Sequence, residues 1–167
     1  MTVRVELSGR GTGKTTRMVA GVSRILKSRG TAEPIVIAAP NLNILGNAKD
    51  MTRFFFDHEV FIKTDIWWLS FPRTDVELIK AEYEMRRRGI TAAFVDEFDM
   101  MKPIPGIAEL FSRGVKDSCF YGTLTRARSL DDLEAHLAGT QYDPVIAILQ
   151  ANKWQYVSHT KNVFHFT

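Results

Sequence analysis

The sequence predicts a three-layer α/β domain with a mostly parallel central sheet. Its 167 residues suit one domain over 1–167 with a substantial core, and 45% of them are hydrophobic and 25% charged. Short apolar runs alternate with segments whose apolar residues recur at helical spacing. Strands that alternate with amphipathic helices form parallel sheets covered by helices on both faces.

The predicted strands are short apolar runs. The run at 34–40 lies between two prolines and is too short for a helix, so it suits a strand buried on both faces of a parallel sheet. Aromatic-rich segments at 153–157 and 162–166 are expected to form a hairpin at the sheet edge. The predicted strands are 3–7, 34–40, 60–63, 91–96, 118–124 and 144–149.

Amphipathic segments with end signals mark the helices. The first follows the glycine-rich stretch 8–16 and ends at Gly30, a residue type that favours the left-handed helix cap. A later helix begins with the capping-box pair Thr74 and Glu77 and ends in three arginines, 86–88. We interpret these arginines as a solvated helix end that is stabilised by the negative end of the helix dipole, rather than as a contact with nucleic acid. Its apolar residues recur at helical intervals, at Val76, Ile79 and Tyr83. Further helices are expected at 41–57, 104–113 and 129–137.

Composition limits the classes of protein and partner. The net charge of +3 is compatible with a nucleic-acid partner without requiring one. The single cysteine, Cys119, cannot form an intramolecular disulfide, and we expect a buried thiol in a strand. The N-terminus lacks the apolar core of a signal peptide, and no apolar run approaches the length of about 20 residues that a membrane span needs. We therefore expect a cytoplasmic protein with no membrane partner.

A glycine-rich stretch joins the first predicted strand to the first predicted helix. Glycines in such a turn allow positive φ angles, so backbone N–H groups approach an anion closely. Lys14 is placed to bridge the outer phosphates of a nucleotide, and Thr15 offers a hydroxyl to Mg²⁺. The pattern is that of a phosphate-binding P-loop with Ser8 in place of its usual first glycine. The predicted nucleotide-binding residues are Ser8, Gly9, Arg10, Gly11, Thr12, Gly13, Lys14, Thr15 and Thr16.

Two acids, Asp96 and Glu97, stand at the end of the predicted strand 91–96. The carboxyl ends of parallel strands face the crevice in which ligands bind. Asp96 is expected to hold Mg²⁺ through water, which makes Thr15 and Asp96 the predicted metal-binding residues. Glu97 would orient and polarise an attacking water. A kinase must exclude water and has less use for a carboxylate at this position. Asp99 is interpreted as an acid of the following loop.

The order of these motifs resembles that of the additional-strand P-loop ATPases with a catalytic glutamate, which share a RecA-like fold and include helicases, recombinases and packaging motors. Residues 8–15 are most similar to the variant Walker A motif of phage DNA-packaging ATPases, the terminase large subunits and their small-phage relatives. Those proteins carry an arginine four residues before the lysine, and Arg10 matches it. Asp96-Glu97-Phe98 also has the Walker B form of small-phage packaging motors.

The resemblance implies roles for several residues. Arg10 would sense or stabilise the γ-phosphate from within the same subunit, so the expected catalytic residues are Glu97, Lys14 and Arg10. Thr123 and Thr125 would correspond to the motif that couples hydrolysis to movement. Arg126 follows the strand 118–124 and is a candidate sensor of phosphate, with a solvated loop arginine as the alternative. The family also implies ATP and Mg²⁺ as ligands, DNA as a partner, and assembly as a homo-oligomer or with a partner protein.

Terminase large subunits usually have sequence ahead of the P-loop that contacts adenine, and a C-terminal nuclease domain. Neither is expected here, so the chain is interpreted as a minimal motor domain, a relative recruited to another task, or a subunit of a larger machine. The leading hypothesis is an ATPase motor that acts with nucleic acid. A small-molecule or nucleotide kinase and a non-catalytic nucleotide-binding regulatory module are the alternatives.

Overall fold

The computed structural model describes residues 2–9, 11–102, 104–123, 156–160 and 163–166. The strands among these residues are β1 (Thr2–Ser8), β2 (Ile35–Ala39), β3 (Ile66–Ser70), β4 (Ala92–Asp96), β5 (Asp117–Thr123), β6 (Tyr156–Thr160) and β7 (Val163–Phe166). The helices are α1 (Lys14–Arg29), α2 (Leu42–Phe55), α3 (His58–Phe61), α4 (Asp75–Arg88) and α5 (Ile107–Leu110), with a 3-10 turn at Phe98–Met100.

All the described strands belong to one sheet, in the order β3-β2-β4-β5-β1-β7-β6. The strands β1 to β5 run parallel, β7 is antiparallel to β1, and β6 is antiparallel to β7. The expected hairpin near the C-terminus is present with β6 at the edge: β7 matches the predicted segment 162–166, whereas β6 spans Tyr156–Thr160 and overlaps the predicted 153–157 only at its start. Strand β5 lies between β1 and β4, so the carboxyl ends of these three strands meet at one edge of the sheet.

Helices cover both faces of the parallel strands. On one face, α1 and α2 bury residues such as Met18, Val22 and Leu45 against the side chains of Ile37 and Phe94. On the other face, α4, the 3-10 turn and α5 form a second core, with buried residues that include Leu78, Ala81, Met85, Phe98 and Phe111. Every residue of β2 is buried, because its alternate side chains enter the two cores. The predicted three-layer α/β fold is confirmed and is consistent with a RecA-like domain.

The helix ends follow the predicted local chemistry. The N–H of Gly30 donates to the carbonyl of Leu26 and closes α1. At the start of α4, the Thr74 hydroxyl accepts a hydrogen bond from the N–H of Glu77 at 3.2 Å. Gly89 ends α4 in the left-handed conformation, with φ of 62°. These caps fix where α1 and α4 meet the sheet.

The strand predicted at 60–63 is wrong. The backbone N–H groups of Val60 and Phe61 both donate to the carbonyl of Asp57, which closes the short helix α3. The strand of this region is β3, which contains Trp67 and Trp68 and pairs with β2. Both tryptophans are partly buried, Trp67 against one core and Trp68 against the other. The apolar run 66–70 is a stronger signal for a strand than the single β-branched residue Val60.

The apolar residues whose spacing predicted α4 are not the ones that this helix buries. Val76, Ile79 and Tyr83 are exposed, whereas Leu78, Ala81 and Met85 face the core. Two apolar sets share this helix at helical spacing, and periodicity alone does not say which one is buried. Three-dimensional packing against the sheet makes the choice.

Other differences are smaller. The helix expected at 104–113 is reduced to α5, because Gly106 stands at its start with φ of 89° and the chain turns again after Leu110. Cys119 lies in β5 as predicted, although its thiol is only partly buried. The helix predicted at 129–137 and the strand at 144–149 lie outside the described residues.

No helix in the described part of the chain combines the length and apolar character that crossing a membrane requires.

Candidate functional site

The glycine-rich loop between β1 and α1 adopts the backbone conformations that its glycines permit. Gly11 has φ of 69° and Gly13 has φ of 80°, which L side chains rarely adopt. Gly13 immediately precedes α1, so the free N–H groups of a 16-residue helix open towards this loop. These features suit a loop that binds an anion through its backbone.

Ser8 supports the loop rather than merely replacing a glycine. Its side chain is fully buried, and its Oγ lies 2.9 Å from Oγ1 of Thr12. The Thr12 hydroxyl donates to the carbonyl of Gly9 at 2.8 Å. Arg17 donates to the Thr12 carbonyl and, through Nε, to Oε1 of Glu6 at 2.8 Å. The sequence analysis did not identify Glu6 and Arg17. Their signal in the sequence is an acid within the first apolar strand together with an arginine in the first turn of the following helix.

Lys14 is the buried cation of the site. Its side chain is only 6% exposed. The ammonium donates to the carbonyl of Gly9 at 3.3 Å, and Nζ lies 3.7 Å from Oε1 of Glu97. A buried charge needs such partners, because removal from water is otherwise costly. The carboxylate of Glu97 is thus the only ionic partner of Lys14 among the described residues.

Asp96 and Thr15 form the pair predicted to bind the metal. Asp96 is fully buried at the end of β4, and its Oδ2 accepts a hydrogen bond of 3.0 Å from the Thr15 hydroxyl. Its Oδ1 accepts from the N–H of Glu97 at 3.0 Å. Burial raises the pKa of the Asp96 carboxyl above its ordinary value, and the hydrogen bond from Thr15 opposes that rise.

The chemistry of these oxygens fits Mg²⁺. A hydroxyl and a carboxylate are hard oxygen ligands, and here they stand close enough to share one small cation. Among the described residues, no group of three or more His, Cys, Asp or Glu side chains could hold a metal by itself. Mg²⁺ commonly binds through one or two protein ligands, water and substrate phosphates. Thr15 and Asp96 would supply two of the oxygen ligands of such an ion.

Glu97 is held in an uncommon conformation. It is the one described residue other than glycine with a positive φ, at φ 50° and ψ 44°. Such a backbone persists only where the surroundings impose it, and it occurs often at functional sites. The Oε2 of Glu97 accepts a hydrogen bond of 2.6 Å from the hydroxyl of Thr123, at the end of β5. The side chain thereby lies between β4, β5 and the loop lysine.

Asp99 belongs to the same cluster, which sequence reasoning missed by treating it as a loop acid. Its Oδ1 accepts a hydrogen bond of 2.9 Å from the backbone N–H of Thr123. Burial raises the pKa of Asp99 to about 6, the nearby charge of Glu97 adds to the rise, and the hydrogen bond from Thr123 opposes it. The 3-10 turn after Glu97 directs this acid towards β5.

The structure brings most of the predicted site residues together at one edge of the sheet. Thr16 is exposed in the first turn of α1. Arg10, Thr125 and Arg126 lie outside the described residues. The predicted residues that the structure brings together are Ser8, Gly9, Thr12, Lys14, Thr15, Asp96, Glu97 and Thr123.

No protein-family model matches this sequence, and no curated protein matches it. The chemistry of the site therefore rests on its own residues. They provide an anion-binding loop, a buried ammonium, a hydroxyl and carboxylate pair for a hard cation, and a second carboxylate close to both. This set can bind a phosphate chain and orient a nucleophile beside it.

Proposed function

We propose that this chain binds ATP with Mg²⁺ and hydrolyses it, as a motor-type P-loop ATPase that works on DNA. The observation that carries the proposal is the meeting of α1 with the end of β4. Thr15 contacts Asp96 at 3.0 Å, and Lys14 lies 3.7 Å from Glu97. The loop that would bind phosphate, the pair that would hold Mg²⁺ and the carboxylate that would act on water therefore stand next to one another in this proposal.

Phosphate binding would change the partners of Lys14. The ammonium now bonds to a neutral carbonyl, that of Gly9, and stands at a longer distance from the Glu97 carboxylate. A phosphate oxygen is an ionised acceptor and forms a stronger hydrogen bond than a carbonyl does. A nucleotide in the loop would therefore draw Lys14 towards its outer phosphates. Thr15 and Asp96 would hold Mg²⁺, which supplies charge neutralisation at the phosphate oxygens when it is bound.

In the proposed reaction, Glu97 orients the attacking water. Once Lys14 binds phosphate, Oε1 of Glu97 loses its ionic partner and can accept a hydrogen bond from water. Its other oxygen stays bonded to Thr123, which fixes the direction of the carboxylate. Hydrolysis requires a positioned base of this kind, whereas a kinase would be expected to exclude water from the same point. This difference favours hydrolysis.

The motor part of the proposal comes from the resemblance in sequence. It rests on Arg10 within the loop, on the form of residues 96–98, and on Thr123 at the position of a coupling motif. The hydrogen bond between Thr123 and Glu97 supports the motor proposal, because a movement of β5 would change the orientation of the Glu97 carboxylate. The net charge of +3 is compatible with DNA.

The test is steady-state phosphate release from ATP and Mg²⁺, with and without DNA. We expect turnover that DNA stimulates, and a loss of at least about 100-fold in Glu97→Gln, since a positioned base contributes roughly 10²–10⁴. ATP binding should survive that substitution. Glu59→Gln, the same change at an exposed glutamate on α3, is the matched control and should leave turnover unchanged.

Other outcomes would overturn the proposal in distinct ways. ATP binding without phosphate release under any condition would favour the regulatory module. Transfer of phosphate to an added acceptor, in place of release, would favour a kinase. Hydrolysis that DNA fails to stimulate would leave an ATPase and remove the DNA motor.

A further inference from the structure

One arginine in the first turn of α1, Arg17, bonds to both carbonyl groups that flank Gly13. Its backbone N–H donates to the carbonyl of Gly13 at 3.0 Å, and its guanidinium donates through Nη1 to the carbonyl of Thr12. Gly13 is the residue immediately before α1 and has φ of 80°, which L side chains rarely adopt. The two peptide groups on either side of this glycine are thus held by the same residue.

The bond to Thr12 sets the direction of the Gly13 N–H. A trans peptide group is planar, so its C=O and its N–H point in opposite directions. The Thr12 carbonyl faces the guanidinium of Arg17, and the N–H of Gly13 therefore points away from it. This N–H forms no hydrogen bond with any residue that the structure describes. It stands beside the first N–H groups of α1, the kind of donors that bind phosphate at a helix N-terminus.

The guanidinium of Arg17 is itself fixed by β1. Its Nε donates to Oε1 of Glu6 at 2.8 Å, and its Nη2 donates to the same oxygen. The Glu6 side chain is only 9% exposed, and a buried carboxylate needs a cation beside it. A planar guanidinium carries several donors in a rigid fork, so it can bond to Glu6 and to the Thr12 carbonyl at once. Strand β1 thereby fixes the middle of the loop through Arg17.

We propose that Arg17 is a positioning residue for phosphate binding, which turns the N–H of Gly13 into the loop before a nucleotide arrives. Arg17 acts through the peptide group between Thr12 and Gly13 and does not touch the phosphates itself. A donor that is already oriented needs no further ordering when the ligand binds, and this strengthens binding. The inference rests on the proposed function, because it assigns a role within the same phosphate site.

Arg17→Lys tests the role of the guanidinium without leaving Glu6 buried and unpaired. The lysine ammonium can pair with the Glu6 carboxylate, a stronger acceptor than a neutral carbonyl. It lacks the fork, so the Thr12 carbonyl loses its donor. We expect the dissociation constants of ATP and of inorganic pyrophosphate, each with Mg²⁺, to rise about ten-fold. Isothermal titration calorimetry measures both, and pyrophosphate reports on the loop independently of hydrolysis. Thermal melting shows whether the variant is folded.

The amide resonance of Gly13 separates positioning from a purely structural role. In ¹H–¹⁵N spectra of the wild type, saturating pyrophosphate should move the Gly13 amide proton downfield, because this N–H then donates to an ionised acceptor. In Arg17→Lys the displacement at saturation should be smaller. An arginine that only stabilised the fold would change the melting temperature and leave this displacement as it is in the wild type.

Two further variants make the test specific. Arg24→Lys is the matched control, because Arg24 lies two turns further along α1, is exposed and forms no ion pair with any residue that the structure describes. It should leave the affinity and the Gly13 resonance unchanged. Glu6→Gln removes the ion pair but keeps an oxygen that accepts from Arg17, so Arg17 can still bond to Thr12. This variant should lose less affinity for pyrophosphate than Arg17→Lys does.

The possible results are distinct. Equal affinity and equal displacement of the Gly13 resonance in wild type and Arg17→Lys would overturn the inference and leave the proposed function intact. A loss in Glu6→Gln as large as that in Arg17→Lys would also overturn it, since the ion pair rather than the bond to Thr12 would then be responsible. A wild type that binds neither ATP nor pyrophosphate would overturn the proposed function and the inference together.

Discussion

The hydroxyl of Thr123 donates a hydrogen bond of 2.6 Å to Oε2 of Glu97, and the N–H of the same residue donates to Oδ1 of Asp99 at 2.9 Å. The last residue of β5 is thus bonded to two carboxylates that follow β4. Because β5 pairs with both β1 and β4, any shift of its end relative to these strands changes the orientation of Glu97. This relationship gives Thr123 a role in positioning the proposed base.

Removal of the Thr123 hydroxyl should slow hydrolysis more than it weakens nucleotide binding. Thr123→Val keeps the shape of the side chain but removes a hydrogen bond to a charged group, worth roughly 1.5 kcal/mol, so we expect kcat to fall roughly ten-fold. KM for ATP should change less than about two-fold, since the lost bond orients the base rather than the phosphates. Steady-state kinetics measures both constants.

Two further variants make this prediction specific. Thr123→Ser keeps a hydroxyl and should restore most of kcat. Thr64→Val removes a threonine hydroxyl that donates only to the carbonyl of Phe61, at 2.7 Å, and should have no effect on kcat. A raised KM with normal kcat in Thr123→Val would instead make Thr123 a nucleotide-binding residue.

Lys14→Met should abolish tight ATP binding without destabilising the protein in the absence of nucleotide. The variant lacks the contact between ammonium and phosphate, worth roughly 2–3 kcal/mol, so the affinity for ATP should fall at least about 30-fold. Methionine fills similar space, and Glu97, at 23% exposed, can be hydrated once its partner is gone. Isothermal titration calorimetry and thermal melting measure the two effects. Lys80→Met, at an exposed position on α4, should change neither; a marked loss of stability in Lys14→Met would show that the lysine is mainly structural.

The glycine-rich loop and the two acids after β4 were predictable from the sequence because their signals are local. The positive φ angles of Gly11 and Gly13 follow from the need for a tight turn between a strand and a helix. Asp96 and Glu97 were recognisable because a buried apolar run ends on them. At these positions the sequence pattern alone was enough to identify the residues.

The rest of the site depends on contacts between residues far apart in the chain. The hydrogen bond from Thr123 to Glu97 exists because β5 lies next to β4, a strand order that periodicity does not reveal. The role of Asp99 requires the 3-10 turn that begins after the left-handed Glu97. Similarly, the spacing of Val76 and Ile79 indicates a helix, but packing chooses the buried face of α4 and both residues are exposed. Tertiary packing decided each of these cases.

Asp99 should make the protein more stable as the pH falls from about 6 towards 4. Its pKa is raised to about 6 from an ordinary value of 3.8, chiefly by burial. The folded state therefore binds a proton more tightly than the unfolded state, so this carboxyl favours folding at low pH and destabilises the protein above pH 6.

Asp99→Asn keeps an oxygen that accepts from Thr123 but cannot ionise. The difference in unfolding free energy between variant and wild type, measured by urea titration, should be largest at pH 7 in favour of the variant and shrink towards pH 4. A difference that does not vary with pH would contradict the raised pKa.

Gly122→Ala should destabilise the fold because β5 passes close to two buried side chains. An added Cβ would stand 2.7 Å from Cε1 of Phe98 and 2.9 Å from Cδ2 of Leu7, closer than carbon atoms approach. Overpacking of this kind costs about 1–3 kcal/mol, which urea denaturation resolves. Gly46→Ala is the matched control, since nothing lies within 4 Å of its added Cβ and alanine favours a helix interior such as that of α2 by about 0.5–1 kcal/mol. In the background of Phe98→Leu, which removes the ring, the further cost of Gly122→Ala should fall; an unchanged cost would mean that contact with Phe98 is not its cause.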